Sequence, residues 1–278
     1  MSTTVEKNGI RSVAAGHAPT LKVRKRPLDR RATLALSIAS PVVLLLLWEL
    51  ASRSGMVDAR FFPAPSGVFL ALAKGLMGAD LWGHIGISLS RIVIGFLIGA
   101  APAVMLGLAM GLSAVIRAIV QPLVDATFPV PKLAILPLFI LIFGLGEGSK
   151  YMVLAVAVFF IVLVNTAAGV KAIDRTQLEV GASFGASRTM MFFDIALPGA
   201  LPFILSGLKL GMNVALLVIV AVEFTGASSG IGYLIWNSWQ VFKVEQMYVG
   251  LVVTALFGFG FAGLFAVLER FTMPWKRR

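Results

Sequence analysis

A chain of 278 residues with 58% hydrophobic residues, 13% charged residues and a mean hydropathy of +0.92 is too apolar for a water-soluble domain, where charged residues run to about a quarter. The formal net charge of +11 does not describe a nucleic-acid-binding face, because the Lys and Arg residues gather at the ends of apolar runs instead of over one globular surface. The absence of cysteine excludes disulfides, thiolate catalysis and Cys-based metal sites, and His17 and His84 form no pair at metal-ligand spacing. A helical crossing of a hydrocarbon core roughly 30 Å thick takes about 20 apolar residues, so the length accommodates about six spans and little else.

Residues 1–31 are polar and basic, with Lys7, Arg11, Lys22, Arg24, Lys25, Arg26, Arg30 and Arg31, and read as a basic cytoplasmic tail. A secretory signal is the competing reading. The polar stretch is long for one, and the apolar run 32–51 is long enough to span, so it is assigned as an anchor. Further apolar runs at 85–112, 115–145, 151–170, 199–222 and 247–268 bring the expectation to an all-α membrane protein of six transmembrane helices. An even number of spans puts both termini on one side. The basic tail and the closing Arg270, Lys276, Arg277 and Arg278 make that side the cytoplasm. The expected division is therefore a tail 1–31, a membrane domain 32–270 and a basic cytoplasmic tail 271–278. Loops 53–84, 146–150 and 223–246 fall outside, and loops 113–117 and 171–198 inside.

Pro65-Ser66 ahead of Val68, Leu70, Leu72 and Leu76 predicts a short capped helix at the membrane interface. Pro122, Pro129, Pro131 and Pro137 break the third apolar run, each lacking an amide donor. Freed carbonyls do not face lipid, so this broken span is expected inside the bundle, with Pro129 and Pro131 along the pathway. The stretch 144–149, GLGEGS, lacks the Lys-Ser/Thr ending of a phosphate-binding loop and reads as a turn.

The inner loop 171–202, KAIDRTQLEVGASFGASRTMMFFDIALPGALP, is too patterned for a simple connection. Thr176 and Glu179 have the spacing of a capping box, which predicts a helix starting near Gln177. Gly185 ends it with φ > 0, Ser187 caps a second helix toward Phe193, and Pro198 and Pro202 suit the first turn of the next span.

Glu179, Gly185 six positions on, and Ile195-Ala196-Leu197-Pro198 resemble the EAA loop of ABC importer permeases. The family has two alanines after the Glu, where this chain has Val180 and Gly181. The resemblance extends over most of the chain, through 62–66 (FPAPS), 129–131 (PVP), 143–147 (FGLGE) and 226–233 (GASSGIGY), and is to the sulfonate, taurine and nitrate type of permease. It implies a type I ABC importer permease fold in the bacterial inner membrane. It also implies a permease dimer, two ATPase subunits that bind ATP and Mg, and an external substrate-binding protein, with no cofactor in this chain and no catalysis by it. The loop residues Glu179, Ala182, Ser183, Gly185, Ala186, Ser187 and Pro198 are then the contact with the ATPase.

Ionisable residues inside spans are costly and mark function by default. Arg91, Lys209 and Glu223 qualify, and with Asn213 they join Pro129 and Pro131 as candidates for the pathway or for pairing across helices. An ion-coupled secondary transporter is the alternative and would call for intramembrane carboxylates and inverted repeats. A membrane scaffold or enzyme subunit is a third reading, for which the sequence offers no active site. Sulfonate, taurine, nitrate and heterocyclic vitamin precursors all remain open as substrate, as does homodimer against heterodimer.

Overall fold

The computed structural model describes residues 29–274, all of whose regular structure is helical. Most of the basic tail 1–31, His17 and the last residues of the stretch 271–278 lie outside the described residues. The chain divides into two compact units after Leu47. Residues 30–47 belong to α1 (Arg30–Arg53), whose stretch Arg31–Arg53 is long and apolar enough to cross a membrane despite Pro41 in its interior.

In the second unit α2 (Pro65–Met77) leads almost directly into α3 (Ala79–Leu112), separated by Gly78 in an extended conformation. The second span therefore starts six residues before the apolar run at 85. Proline opens α2 as expected, but Ser66 does not cap it. The Glu49 carboxylate reaches over from the end of α1, accepting from the Ser66 amide at 2.9 Å and its hydroxyl at 2.8 Å. A carboxylate held against a helix N-terminus meets its unpaired amides and its dipole together.

α3, α6 (Glu147–Lys171) and α9 (Leu197–Gly226) form the core. Ile92, Ala103, Val153, Leu154, Val158, Val162, Ala215 and Ile219 are fully buried there. Small residues bring the backbones together, since lipid offers no hydrophobic driving force between helices. A Cβ at Gly99 would run into the carbonyl of Ala155, and one at Gly107 would stand 2.6 Å from Thr166 Cβ. α10 (Ile231–Gln240) and α11 (Val244–Thr272) complete the unit, around a second cluster of Leu81, Ile231, Ile235, Val249 and Val253.

The third apolar run is two helices, α4 (Ala114–Thr127) and, after a 3-10 turn at Lys132–Ile135, α5 (Leu136–Phe143), bent 90° to each other. Counting that pair as one, the described residues hold six spans. The expectation that this broken run lies inside the bundle is corrected for the single chain: only Val124 and Leu136 are buried, and Pro122, Pro129, Pro131 and Pro137 are exposed. The carbonyls at the break find a donor of their own. Lys132 Nζ donates to the carbonyls of Thr127 at 2.8 Å and Phe128 at 3.0 Å while lying 4.3 Å from the centroid of the Phe160 ring. Pro131 has no amide for the Thr127 carbonyl, which accepts instead from the Val130 amide at 3.2 Å and from the lysine.

Candidate functional site

The inner loop folds as α7 (Arg175–Ser183), a sharp turn, and α8 (Arg188–Met190) running through a π-helical turn at Met191–Ala196 into α9. The expected capping box is replaced. Asp174, in extended conformation, is the N-cap and accepts from the Thr176 amide at 2.9 Å, so the helix begins two residues before Gln177. The Asp174 carboxyl is held below its ordinary range by that amide. Glu179 is consequently left exposed, and among the described residues its carboxylate has no hydrogen bond or ion pair.

Gly185 has φ +73°, with its amide donating to Ala182 O and that of Ala186 to Gly181 O, each at 3.0 Å. This is a Schellman ending, which a left-handed glycine makes without strain. Ser187 Oγ accepts from the Met190 amide at 3.3 Å. The second helix does not stop at Phe193 but is continuous with the span. Leu197 N donates to Phe192 O, five residues back, so the backbone is in π register as it reaches Pro198, which has no proton for the carbonyl of Asp194. Gly181 lets α7 lie against this turn: a Cβ there would be 2.6 Å from Ile195 Cδ1 and 2.7 Å from Met191 Sδ. Ala182, Ser183, Gly185 and Ser187 are exposed and Ala186 and Pro198 half-buried. Val180, Phe184 (88% exposed), Met190 and Phe193 add apolar surface to an otherwise polar platform.

The second concentration of polar groups centres on the buried Arg91 and Glu223, with Glu147 at its exposed edge. Arg91, in the first half of α3 and 2% exposed, holds Glu147 bidentately through Nε and Nη2 at 2.6 and 2.7 Å. Its Nη1 donates to Glu223 Oε1 at 2.7 Å and to the Ser229 carbonyl at 2.6 Å. Glu223 is fully buried near the end of α9 and also accepts from Ser88 Oγ at 2.8 Å and the Gly232 amide at 2.7 Å. Ser88 Oγ in turn accepts from the Ile231 amide, and His84 Nδ1 from the Gly230 amide. Lys150 joins Glu147 at 3.0 Å, so two cations meet two carboxylates and the cluster is neutral. Gly230 stands at φ +115°, where a Cβ would collide with the Glu223 carboxylate. These contacts tie α3, the start of α6, the end of α9 and the turn before α10 together. Ser229 and His84 also line a cavity of about 810 Å³ with Lys74, Asp80, Lys243 and Gln246.

Of the pathway candidates, Glu223 therefore lies in the interior of the chain and faces no open channel. Lys209 and Asn213 are exposed on α9, and Pro129 and Pro131 are exposed at the bend. Sequence reading singled out Arg91 and Glu223 separately. It missed Glu147, Lys150, Ser88 and Lys132, for which the only signal was the i, i+3 spacing of Glu147 and Lys150. No cluster of three His, Cys, Asp or Glu side chains able to hold a metal occurs among the described residues.

Residues 103–273 match the family described as binding-protein-dependent transport system inner membrane component. The chain belongs to that family. This permease is 34% identical over 264 residues to the taurine transport system permease protein TauC of Escherichia coli (strain K12), covering 93% of this chain and 95% of that protein. It is 32% identical to the putative aliphatic sulfonates transport permease protein SsuC of Bacillus subtilis (strain 168), covering 96% and 98%. With the formylaminopyrimidine transport permease protein ThiX of Halalkalibacterium halodurans it shares 27% identity, covering 85% and 94%. It is thus a multi-pass inner-membrane permease of the ABC type, and its helical fold is the one expected from the sequence.

Proposed function

We propose that this permease forms the translocation pathway of an ATP-driven importer for a small sulfonate of the taurine or alkanesulfonate class. The substrate is delivered by an external binding protein, and both termini and the loop 171–198 lie in the cytoplasm. Two ATPase subunits carry the ATP and Mg, and a second permease copy completes the pathway, with no catalysis by the permease itself. The substrate class rests on the names of the two relatives that match nearly end to end.

The observation that carries the coupling role is the conformation of the loop. A left-handed Gly185 folds α7 back against the π turn, and the platform it makes leaves Glu179 without a hydrogen bond or ion pair among the described residues and Phe184 88% exposed. A helix pair welded without a break to a span transmits a push on Glu179–Ser187 directly into α9. Pro198 sits at that weld. Lys209 and Asn213 face the pathway, Pro129 and Pro131 flank it at the bend, and Glu223 supports it from within.

The test is Gly185→Val in the reconstituted complex. A β-branched side chain at φ +73° is strained, so the variant should insert normally but lose both ATPase association and ATP-driven uptake. Normal uptake by a stably inserted Gly185→Val permease would refute the coupling role.

A further inference from the structure

Among the described residues, Arg91 and Lys209 are the basic side chains that lie more than two turns inside an unbroken spanning helix. Arg91 is buried against two carboxylates. Lys209 has no ion pair and no side-chain hydrogen bond among the described residues, and it is exposed on the surface of the chain. It also stands at the midpoint of the 36-residue apolar helix Met191–Gly226. From Leu197 it is ~18 Å along the axis, and from Gly226 ~25 Å, both beyond what a lysine stem covers by snorkelling. An ammonium at that depth is not left in hydrocarbon.

Its neighbours on the helix surface are polar as well. Ser206, Lys209 and Asn213, at i, i+3 and i+7, share one face of α9, and all three are exposed. The opposite face, with Ala200, Ile204, Gly207, Gly211, Ala215 and Ile219, is buried against the rest of the chain. A stripe of hydroxyl, ammonium and amide at mid-depth, bordered by the exposed Leu210 and Leu217, is a wall for water and an anion. It does not suit close packing against an identical stripe, because two copies would then oppose their ammonium groups.

The geometry points to Lys209 as the anion-selecting group of the pathway, receiving the sulfonate oxygens of the substrate together with the Asn213 amide and the Ser206 hydroxyl. This rests on the sulfonate reading above and deepens it. A sulfonate has three acceptor oxygens and a full negative charge, matching three ammonium donors and one or two neutral donors a turn away. A single lysine binds as a point charge, without the bidentate grip of an arginine, which lets the anion leave as readily as it enters.

The experiment is uptake of taurine and of ethanesulfonate by the full complex in proteoliposomes. Lys209→Gln should lower uptake of both about tenfold through loss of local attraction, while complex assembly and ATP hydrolysis persist. Lys209→Arg should retain transport. Lys209→Glu should depress ethanesulfonate, a net anion, more than zwitterionic taurine, a change of ratio that a merely structural lysine would not produce. Undiminished uptake of both sulfonates by Lys209→Gln overturns the assignment, as does an equal loss of both in Lys209→Gln, Lys209→Arg and Lys209→Glu. A wild-type complex that hydrolyses ATP but imports neither sulfonate refutes the sulfonate reading itself before any variant is made.

Discussion

The loop 174–198 and the Arg91 cluster are both built from capped helix ends, glycines with positive φ and unpaired-looking charges, yet they solve opposite problems. In the loop, among the described residues, each side-chain hydrogen bond closes within a few residues, as in Asp174 to Thr176, Glu179 O to Ser183 and Ser187 to Met190, and Asp174, Glu179 and Asp194 are exposed. In the cluster the partners of Arg91 are 56 to 138 residues away in sequence, and both of its carboxylates are paired. Where water is present, a polar group needs only local geometry; where it is absent, the whole tertiary structure has to deliver a partner. The loop is therefore free to bind something else, and the cluster is not.

Breaking the cluster should have the largest effect. Glu223→Leu leaves the buried Arg91 guanidinium short of a counter-charge and should cost ~3–5 kcal/mol of stability, read as a lower unfolding temperature in detergent. The pair Arg91→Met with Glu223→Leu should recover much of that loss, because removing both charges spares the desolvation that one alone cannot offset. Additive losses in the pair would mean that the two charges do not couple and that each acts through its other contacts.

Next comes Gly230→Ala, which forces a Cβ toward the Glu223 carboxylate at φ +115° and should cost about 1–3 kcal/mol, with the damage confined to the α9–α10 turn in amide exchange. The equivalent change in the loop, Gly185→Ala, also has φ > 0 but meets open space, so it should cost only about 1 kcal/mol and show as faster exchange in α7 alone. Equal effects at the two glycines would erase the distinction between a crowded and an open left-handed turn.

The smallest effect is the acid titration of the α7 cap. Since the folded Asp174 pKa lies below its ordinary 3.8, the cap's contribution is complete above that ordinary value and disappears as the pH falls through the lower folded one. Exchange of the Thr176 amide, compared with an Asp174→Asn permease, should thus be unchanged between neutral pH and about pH 5 and should diverge only in stronger acid. Divergence near neutrality would show that another group caps the helix.

Hydropathy and local spacing were enough to read the number and approximate places of the spans, the left-handed turn at Gly185, the cap at Ser187 and the family resemblance carried by Glu179, Gly185 and Pro198. All of these depend on hydropathy over about 20 residues or on contacts within one turn of helix. Sequence reading misjudged the cap of α7, because Thr176 with Glu179 and Asp174 with Thr176 are both locally plausible and only the built helix shows which residue is extended. It expected the proline-broken run inside the bundle, whereas in the single chain that run is largely exposed and Lys132 folds back onto the carbonyls of Thr127 and Phe128, a contact that nothing in the spacing reveals. The packed helices alone reveal that Arg91 and Glu223, legible as two separate intramembrane charges, are joined with Ser88 and the half-exposed Glu147 in one network, and that Lys209 stands apart from it. The physical reason is that an ion pair in a membrane is fixed by which helix faces meet, and faces meet through small residues such as Gly99 and Gly107 whose role appears only when Ala155 and Thr166 are seen lying against them.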